Sequence, residues 1–234
     1  SNEETDVREL VVPCYVIEHP MGTLLWDGGL PSATAAKPGW SREVQGSRVR
    51  LDKTLAQQLS NMRFDLTSFD YVAFSHIHFD HVGVANEVKI ATWLVQEADF
   101  DAVFLPESEP PGPGVQPDLL REIKNSKLIK LHGDHDVFGD GRVRLISAPG
   151  HTQGHHVLFV DLTEYGPLVL SGDLYHFRFS RAQRRVPLFN INVDQTLASM
   201  DKVESLVAEE GAQFWIEHDL ALFKTLKTAP DFYR

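Results

Sequence analysis

The chain has 234 residues, 42% of them hydrophobic and 24% charged, with a formal net charge of −11. That length supports one substantial core, and the acidic balance opposes binding to nucleic acid, which needs Lys and Arg on phosphates, or to an anionic membrane surface. No apolar stretch reaches the roughly 18 residues of a membrane span and no basic, apolar leader opens the chain; the expectation is a soluble protein, cytoplasmic by default, or periplasmic or secreted if a leader has been removed.

In chain order, apolar runs and turn signals alternate. Residues 10–18 and 23–26 read as strands around the turn His19-Pro20-Met21-Gly22. The single cysteine, Cys14, excludes an intramolecular disulfide and a CxxC zinc site, and reads as a buried thiol. Residues 31–46 carry Pro, Gly, Ser and Ala and read as a long loop; such loops are usually functional or disordered, so 31–50 is a candidate substrate lid. Leu51, Leu55, Leu59 and Met62 lie at helical spacing and predict a helix over 51–62. Residues 69–75 read as a buried strand, 89–95 as another, followed by a polar helix-like piece. The proline-rich stretch 107–118 reads as a loop and 117–126 as a short helix. Strands follow at 128–131, 142–148, 156–162 and 168–170. The Arg181, Arg184, Arg185 run reads as a solvated or salt-bridged loop. Asp194 is the expected N-cap of a helix running to Glu210, with Leu197, Met200, Val203 and Val207 on one face and Gly211 beyond its end. Residues 212–217 close the series as a strand. Interleaved strands and helices fit helices outside two central sheets, or a single doubly wound sheet; the pattern does not separate them. One domain over 1–234 is the natural reading.

Where the eleven histidines sit decides the chemistry. The segment Ser75-His76-Ile77-His78-Phe79-Asp80-His81 follows an apolar strand. Residues two apart in extended chain point the same way, so His76 and His78 can place two imidazoles on one metal, while Asp80 and His81 aim at a point nearby as the chain turns. Imidazole nitrogen and carboxylate oxygen are donors that Zn²⁺ takes at roughly 2.0–2.2 Å. Further candidates end apolar runs: His151 after Ser147-Ala148-Pro149-Gly150, Asp173 after Val169-Leu170-Ser171-Gly172, and His218 after Phe214-Trp215-Ile216-Glu217. Asp27, before Gly28-Gly29, is either an orienting partner for a ligating histidine or a turn-forming aspartate. His155, His156, His132 and His135 read as structural or exposed, and His19 as a turn residue. No G-x-S-x-G elbow and no H-E-x-x-H helix is present.

His-x-His-x-Asp-His, then Gly-His, Gly-Asp and a final His after a strand, in this order over nearly the whole chain, resembles the metallo-β-lactamase superfamily. The resemblance implies an α+β fold, a four-layer αββα sandwich, with two Zn²⁺ (or other divalent ions) at one edge. His76, His78 and His151 would hold one metal, Asp80, His81 and His218 the other, and Asp173 would bridge them. The family's usual opening strand is missing or shortened here. Within the superfamily, the stretches 75–83, 91–96, 147–155, 171–178 and 216–219 are most similar to N-acyl-homoserine lactonases. That implies a small lactone as substrate and a homodimer as assembly. Metals about 3.5–4 Å apart share a hydroxide that would attack the lactone carbonyl, since binding lowers the water pKa from 15.7 toward roughly 7. Many of these lactonases place a Tyr three residues after the bridging Asp. Here that position is His176, with Tyr175 beside it; either donates a hydrogen bond, and Asp80 or His176 could handle the leaving-group proton. Phe79, Phe177, Phe179 and Phe189 are candidates to line an acyl groove or to pack the core. Other hydrolases of the fold, acting on other lactones or esters, thioesters, β-lactams or phosphodiesters, are the alternative, and a non-catalytic metal-binding module is a further one.

Overall fold

A computed structural model of the chain describes residues 9–36, 39–40, 43–44, 47–106 and 108–234. The chain divides into two compact units, Cys14–Lys130, and Leu131–Arg234 together with the described N-terminal residues Glu9–Pro13.

The first unit holds β1 (Tyr15–His19), β2 (Gly22–Trp26), the two-residue strands β3 (Glu43–Val44) and β4 (Ser47–Arg48), helix α1 (Leu55–Ser60), β5 (Tyr71–Ala73), β6 (Thr92–Gln96), α2 (Glu97–Val103) and β7 (Leu128–Leu131). Its sheet runs β1-β2-β5-β6-β7. The β1–β2 pair is a hairpin, whereas β2, β5 and β6 are parallel, which requires crossovers rather than tight turns. One crossover contains α1. Thr54 caps it reciprocally: its hydroxyl accepts from Gln57 N at 3.2 Å while Gln57 Oε1 accepts from Thr54 N at 2.9 Å. This box starts the helix at Leu55, later than the periodicity from Leu51 predicts. Leu25, Leu59, Val72, Phe74 and Trp93 share a core, with Phe74 edge-on to Trp93 at 5.1 Å between centroids. The long loop is less bare than expected, because Ser32–Ala36 forms a 3₁₀ turn and β3 pairs with β4; residues 37–38, 41–42 and 45–46 of the expected lid lie outside the described residues. Cys14 is half-buried, not buried.

The second unit holds β8 (His135–Asp136), β9 (Val143–Ser147), β10 (His156–Leu162), β11 (Gly166–Leu170), α3 (Arg178–Ala182), α4 (Val193–Glu210), β12 (Gln213–Trp215) and α5 (Leu220–Phe223). Its sheet runs β12-β11-β10-β9-β8, antiparallel except for the parallel β11–β12 pair. Strands β9, β11 and β12 therefore point the same way, and the residues that follow them leave one edge of the sheet. The N-cap of α4 is Asn192, whose side chain accepts from Gln195 N at 3.0 Å, not Asp194. Asp194 falls in the first turn, where its charge meets the positive end of the helix dipole. Gly211 ends the helix in the left-handed conformation at φ 63°, as the sequence predicts. Met200 and Val203 pack on Val157, Phe159, Val169 and Ile216. The arginine run is salt-bridged: Arg181 makes two 2.8 Å bonds to Glu204, and Arg184 pairs with Asp201. Among the described residues no helix is long and apolar enough to cross a membrane.

Candidate metal centre

In the first unit, β2 and β5 end side by side, since Trp26 pairs with Ala73. Their next residues build one half-set. Asp27 is fully buried and sits at φ 59°, a left-handed conformation that aspartate tolerates better than most residues. One carboxylate oxygen accepts from Ser75 N at 2.6 Å and the other meets His81 Nδ1 at 3.0 Å. Both readings of Asp27 from sequence thus hold together: it makes the turn and orients an imidazole. Ser75 Oγ lies 3.1 Å from Nδ1 of both His76 and His81. Ile77 enters the core, in a run of bends over 75–77 rather than the extended chain that the spacing of His76 and His78 suggests. Their rings stand 4.5 Å apart, and His76 and His81 4.1 Å apart. Asp80 lies half-buried beside them, Oδ2 3.9 Å from His81 Nε2.

Two predictions arise here. Asp27→Ala removes the acceptor shared by Ser75 N and His81; metal affinity should fall roughly 10–100-fold and stability by about 1–3 kcal/mol, measured by zinc titration and thermal melting. Unchanged zinc affinity would show that His81 needs no orientation from Asp27. The second concerns the proline-rich loop, which seats on the half-set: Phe79 N donates to Gly114 O at 3.0 Å. A methyl at Gly114 would stand 2.5 Å from His78 Cδ2, on a backbone at φ +79°. Gly114→Ala should therefore displace the His78 ring and weaken zinc by about tenfold or more, the scale of a lost ligand-orienting contact; a zinc titration equal to wild type would contradict this packing.

In the second unit, the loops after β9, β11 and β12 carry His151, Asp173 and His218. The Asp173 carboxylate gathers three imidazoles: Oδ2 lies 3.2 Å from Nε2 of His151 and 3.2 Å from Nε2 of His176, and Oδ1 lies 2.9 Å from Nε2 of His218. Asp173, His176 and His218 offer ligand atoms within 4.8 Å of one another. His151 and His218 have their other nitrogen fixed: His151 Nδ1 meets Asn190 Oδ1 at 2.9 Å, and His218 Nδ1 donates to Val11 O at 2.8 Å. Asn190 is tied in turn through Nδ2 to Thr196 Oγ1 at 3.0 Å, in the first turn of α4. Sequence reading missed Asn190, Thr196 and Val11. The Asn190-Ile191-Asn192 stretch before a helix is the signal that could have raised Asn190.

His176 differs. Its Nδ1 is buried with no hydrogen-bond partner among the described residues. Burial holds its pKa below the usual imidazole value, opposed by the neighbouring Asp173 carboxylate. A carboxylate only accepts, so a neutral His176 facing it carries its proton on Nε2 and leaves Nδ1 as a bare lone pair. Tyr175, the other candidate at this position, is turned into the core against Phe214, and burial together with Glu204, which accepts from its hydroxyl, pushes its pKa up. Of the other histidines, His155 and His156 are buried, while His132 is exposed and His135 intermediate.

Buried imidazole nitrogens grouped around a carboxylate, most with the far nitrogen locked, are a donor set suited to a divalent metal. The family model of the metallo-β-lactamase superfamily matches residues 7–210, and the chain belongs to that superfamily. It is 32% identical over 231 residues, covering 96% of this chain and 88% of that protein, to the N-acyl homoserine lactonase AttM of Rhizobium johnstonii. It is 25% identical over 228 residues, 95% of this chain and 87% of that protein, to the N-acyl homoserine lactonase AiiA of Bacillus thuringiensis subsp. kurstaki. A solved N-acyl homoserine lactone hydrolase, with N-hexanoyl-L-homoserine bound at its catalytic metal centre, superposes with a TM-score of 0.82 at 23% identity, covering 96% of this chain and 87% of that one. That likeness shows the metallo-β-lactamase fold, here as two mixed sheets with helices. Superfamily and donor chemistry make the chain a metal-dependent hydrolase.

Proposed function

We propose that the chain hydrolyses the lactone ring of N-acyl-homoserine lactones, as one domain over residues 1–234 that would hold a pair of zinc ions. In this reading His76, His78 and His151 would hold one ion and Asp80, His81 and His218 the other, with Asp173 available to both. The observation that carries it is the Asp173 carboxylate, within 3.2 Å of three imidazole nitrogens in a superfamily member similar to named lactonases. Such a pair would supply hydrolytic chemistry by lowering the pKa of water and polarising a carbonyl.

The chain's own groups do the rest. Asn190 and Val11 fix the rings of His151 and His218, and Asp27 fixes His81. His176 presents Nε2–H beside Asp173, where it could donate to the ring oxygen as the ester bond breaks; in this reading either His176 or Asp80 would handle the leaving-group proton. Phe189 stands edge-on to both His151 and His176, at 5.7 and 5.3 Å, and Leu188, Ile191 and Val193 beside it are exposed. The backbone of this segment is tied to the His151 turn by Asn192 N to Gly150 O at 3.1 Å, so the apolar wall is fixed relative to the imidazole. We assign it to the acyl chain. Phe189→Ala should raise KM for long-chain substrates by about tenfold, the scale of one aromatic side chain's burial, and leave short-chain KM nearly unchanged; equal effects on both would remove the wall from the acyl site.

The reading is tested by a hydrolysis panel on metal-analysed protein, followed by pH-stat: homoserine lactones of several chain lengths, simple lactones, thioesters, β-lactams and phosphodiesters. Homoserine lactones should turn over with the highest kcat/KM. Faster turnover of any other class would overturn the substrate assignment.

A further inference from the structure

We propose that His155, outside the seven ligand positions, is a positioning residue that sets the backbone of the Asp173 turn and through it the aim of the bridging carboxylate. The inference rests on the reading of Asp173 as a metal-bridging residue. Asp173 follows Gly172, at φ 45°, and itself lies at φ −95°, ψ 21°, outside the helical region. At these angles its N–H leaves the turn and finds an imidazole: Asp173 N donates to His155 Nε2 at 3.0 Å. A backbone amide can be accepted there only if Nε2 is bare, which requires the proton on Nδ1. The structure meets that requirement, because His155 Nδ1 lies 2.9 Å from the carbonyl of Ala148. Ala148 N in turn donates to His155 O at 2.9 Å, so side chain and main chain of His155 grip the same residue at the end of β9.

The ring is fully buried. His155 also has no nitrogen left for a metal, since both are committed to backbone. It links the turn that carries His151 to the turn that carries Asp173, two segments far apart in sequence, through one rigid ring with a donor on one side and an acceptor on the other. A plain core histidine would fill the space equally well with either tautomer.

Asn and Gln separate the two halves of the ring. His155→Asn keeps a donor near the Nδ1 position and loses the acceptor at Nε2; His155→Gln places an amide oxygen near Nε2. The apo chain is titrated with Zn²⁺ against a chromogenic chelator and with Co²⁺ by visible spectroscopy. Expected are roughly 10–100-fold weaker metal binding and an altered Co²⁺ spectrum in the Asn variant, the scale of a lost outer partner, and substantial recovery in the Gln variant. Asn and Gln variants equal to each other, or Asn equal to wild type, would overturn the proposal. Wild type that binds no metal pair would instead overturn the reading of Asp173. Since either variant could fail to fold, the tautomer is also read in the wild-type chain by long-range ¹H–¹⁵N correlation of labelled histidine. A His155 proton on Nδ1 is expected; a proton on Nε2 would refute the brace outright.

Discussion

Replacing Asp173 with Asn is expected to abolish turnover, lowering kcat by about 10³-fold or more, several kcal/mol of barrier. The substitution keeps size and one oxygen but removes the charge that three imidazole nitrogens face at 2.9–3.2 Å. Two cations brought close together repel one another strongly, and an anion shared between them offsets that repulsion. An amide does so poorly, and its NH₂ face would point donors at the metals. The loss should appear twice: in steady-state kinetics, and in metal content, which is expected to drop from two ions per chain to one or none. The Asn variant should still fold, because Asp173 N keeps its bond to His155 and the turn is closed by Leu174 N to Ser171 O at 3.2 Å. Full activity with two metals retained would take the bridging role away from Asp173.

His176→Ala is the second large effect. A positioned acid or donor is worth about 10²–10⁴-fold in rate, and that loss is expected in kcat with little change in KM. Metal content should stay at two, since the ring lacks the locked Nδ1 that marks His151 and His218. A drop in metal binding equal to that of a ligand variant would make His176 a ligand instead. Tyr175→Phe is the paired control. Tyr175 is buried among Phe214, Met200 and Val203 with its hydroxyl on Glu204, so losing that hydrogen bond should cost about 1 kcal/mol of stability and leave kcat near wild type.

The order of these two residues shows where sequence reading stops. Neighbours in extended chain face opposite ways, and Tyr175 is extended at φ −139°, ψ 138°. One of the pair therefore had to face Asp173 while the other entered the core, but nothing local says which. The side was set by α4, which brings Glu204 to the phenol. Strands β2, β5, β10 and β11 were legible because their buried residues are consecutive apolar letters. The chemistry was legible because the histidines and aspartates come soon after apolar strands: Asp27 after β2, the His76–His81 turn after β5, and His151, Asp173 and His218 after β9, β11 and β12. The braces were not. Val11 on His218, Gly114 on His78 and Asn190 on His151 join residues remote in sequence, through backbone atoms or small polar side chains that carry no pattern. Helix starts were displaced for a related reason: Thr54 and Asn192 fix α1 and α4 by side-chain hydrogen bonds, which outweigh hydrophobic spacing at a terminus.

The central claim, that Asp173 and the histidines would serve one pair of ions, is tested most directly by zinc X-ray absorption on the fully loaded chain. The account predicts two zinc ions per chain, first-shell scattering from nitrogen and oxygen only, and a zinc–zinc vector at about 3.5–4 Å that disappears in Asp173→Asn. Two ions without any metal–metal scattering, or a single ion per chain, would contradict it.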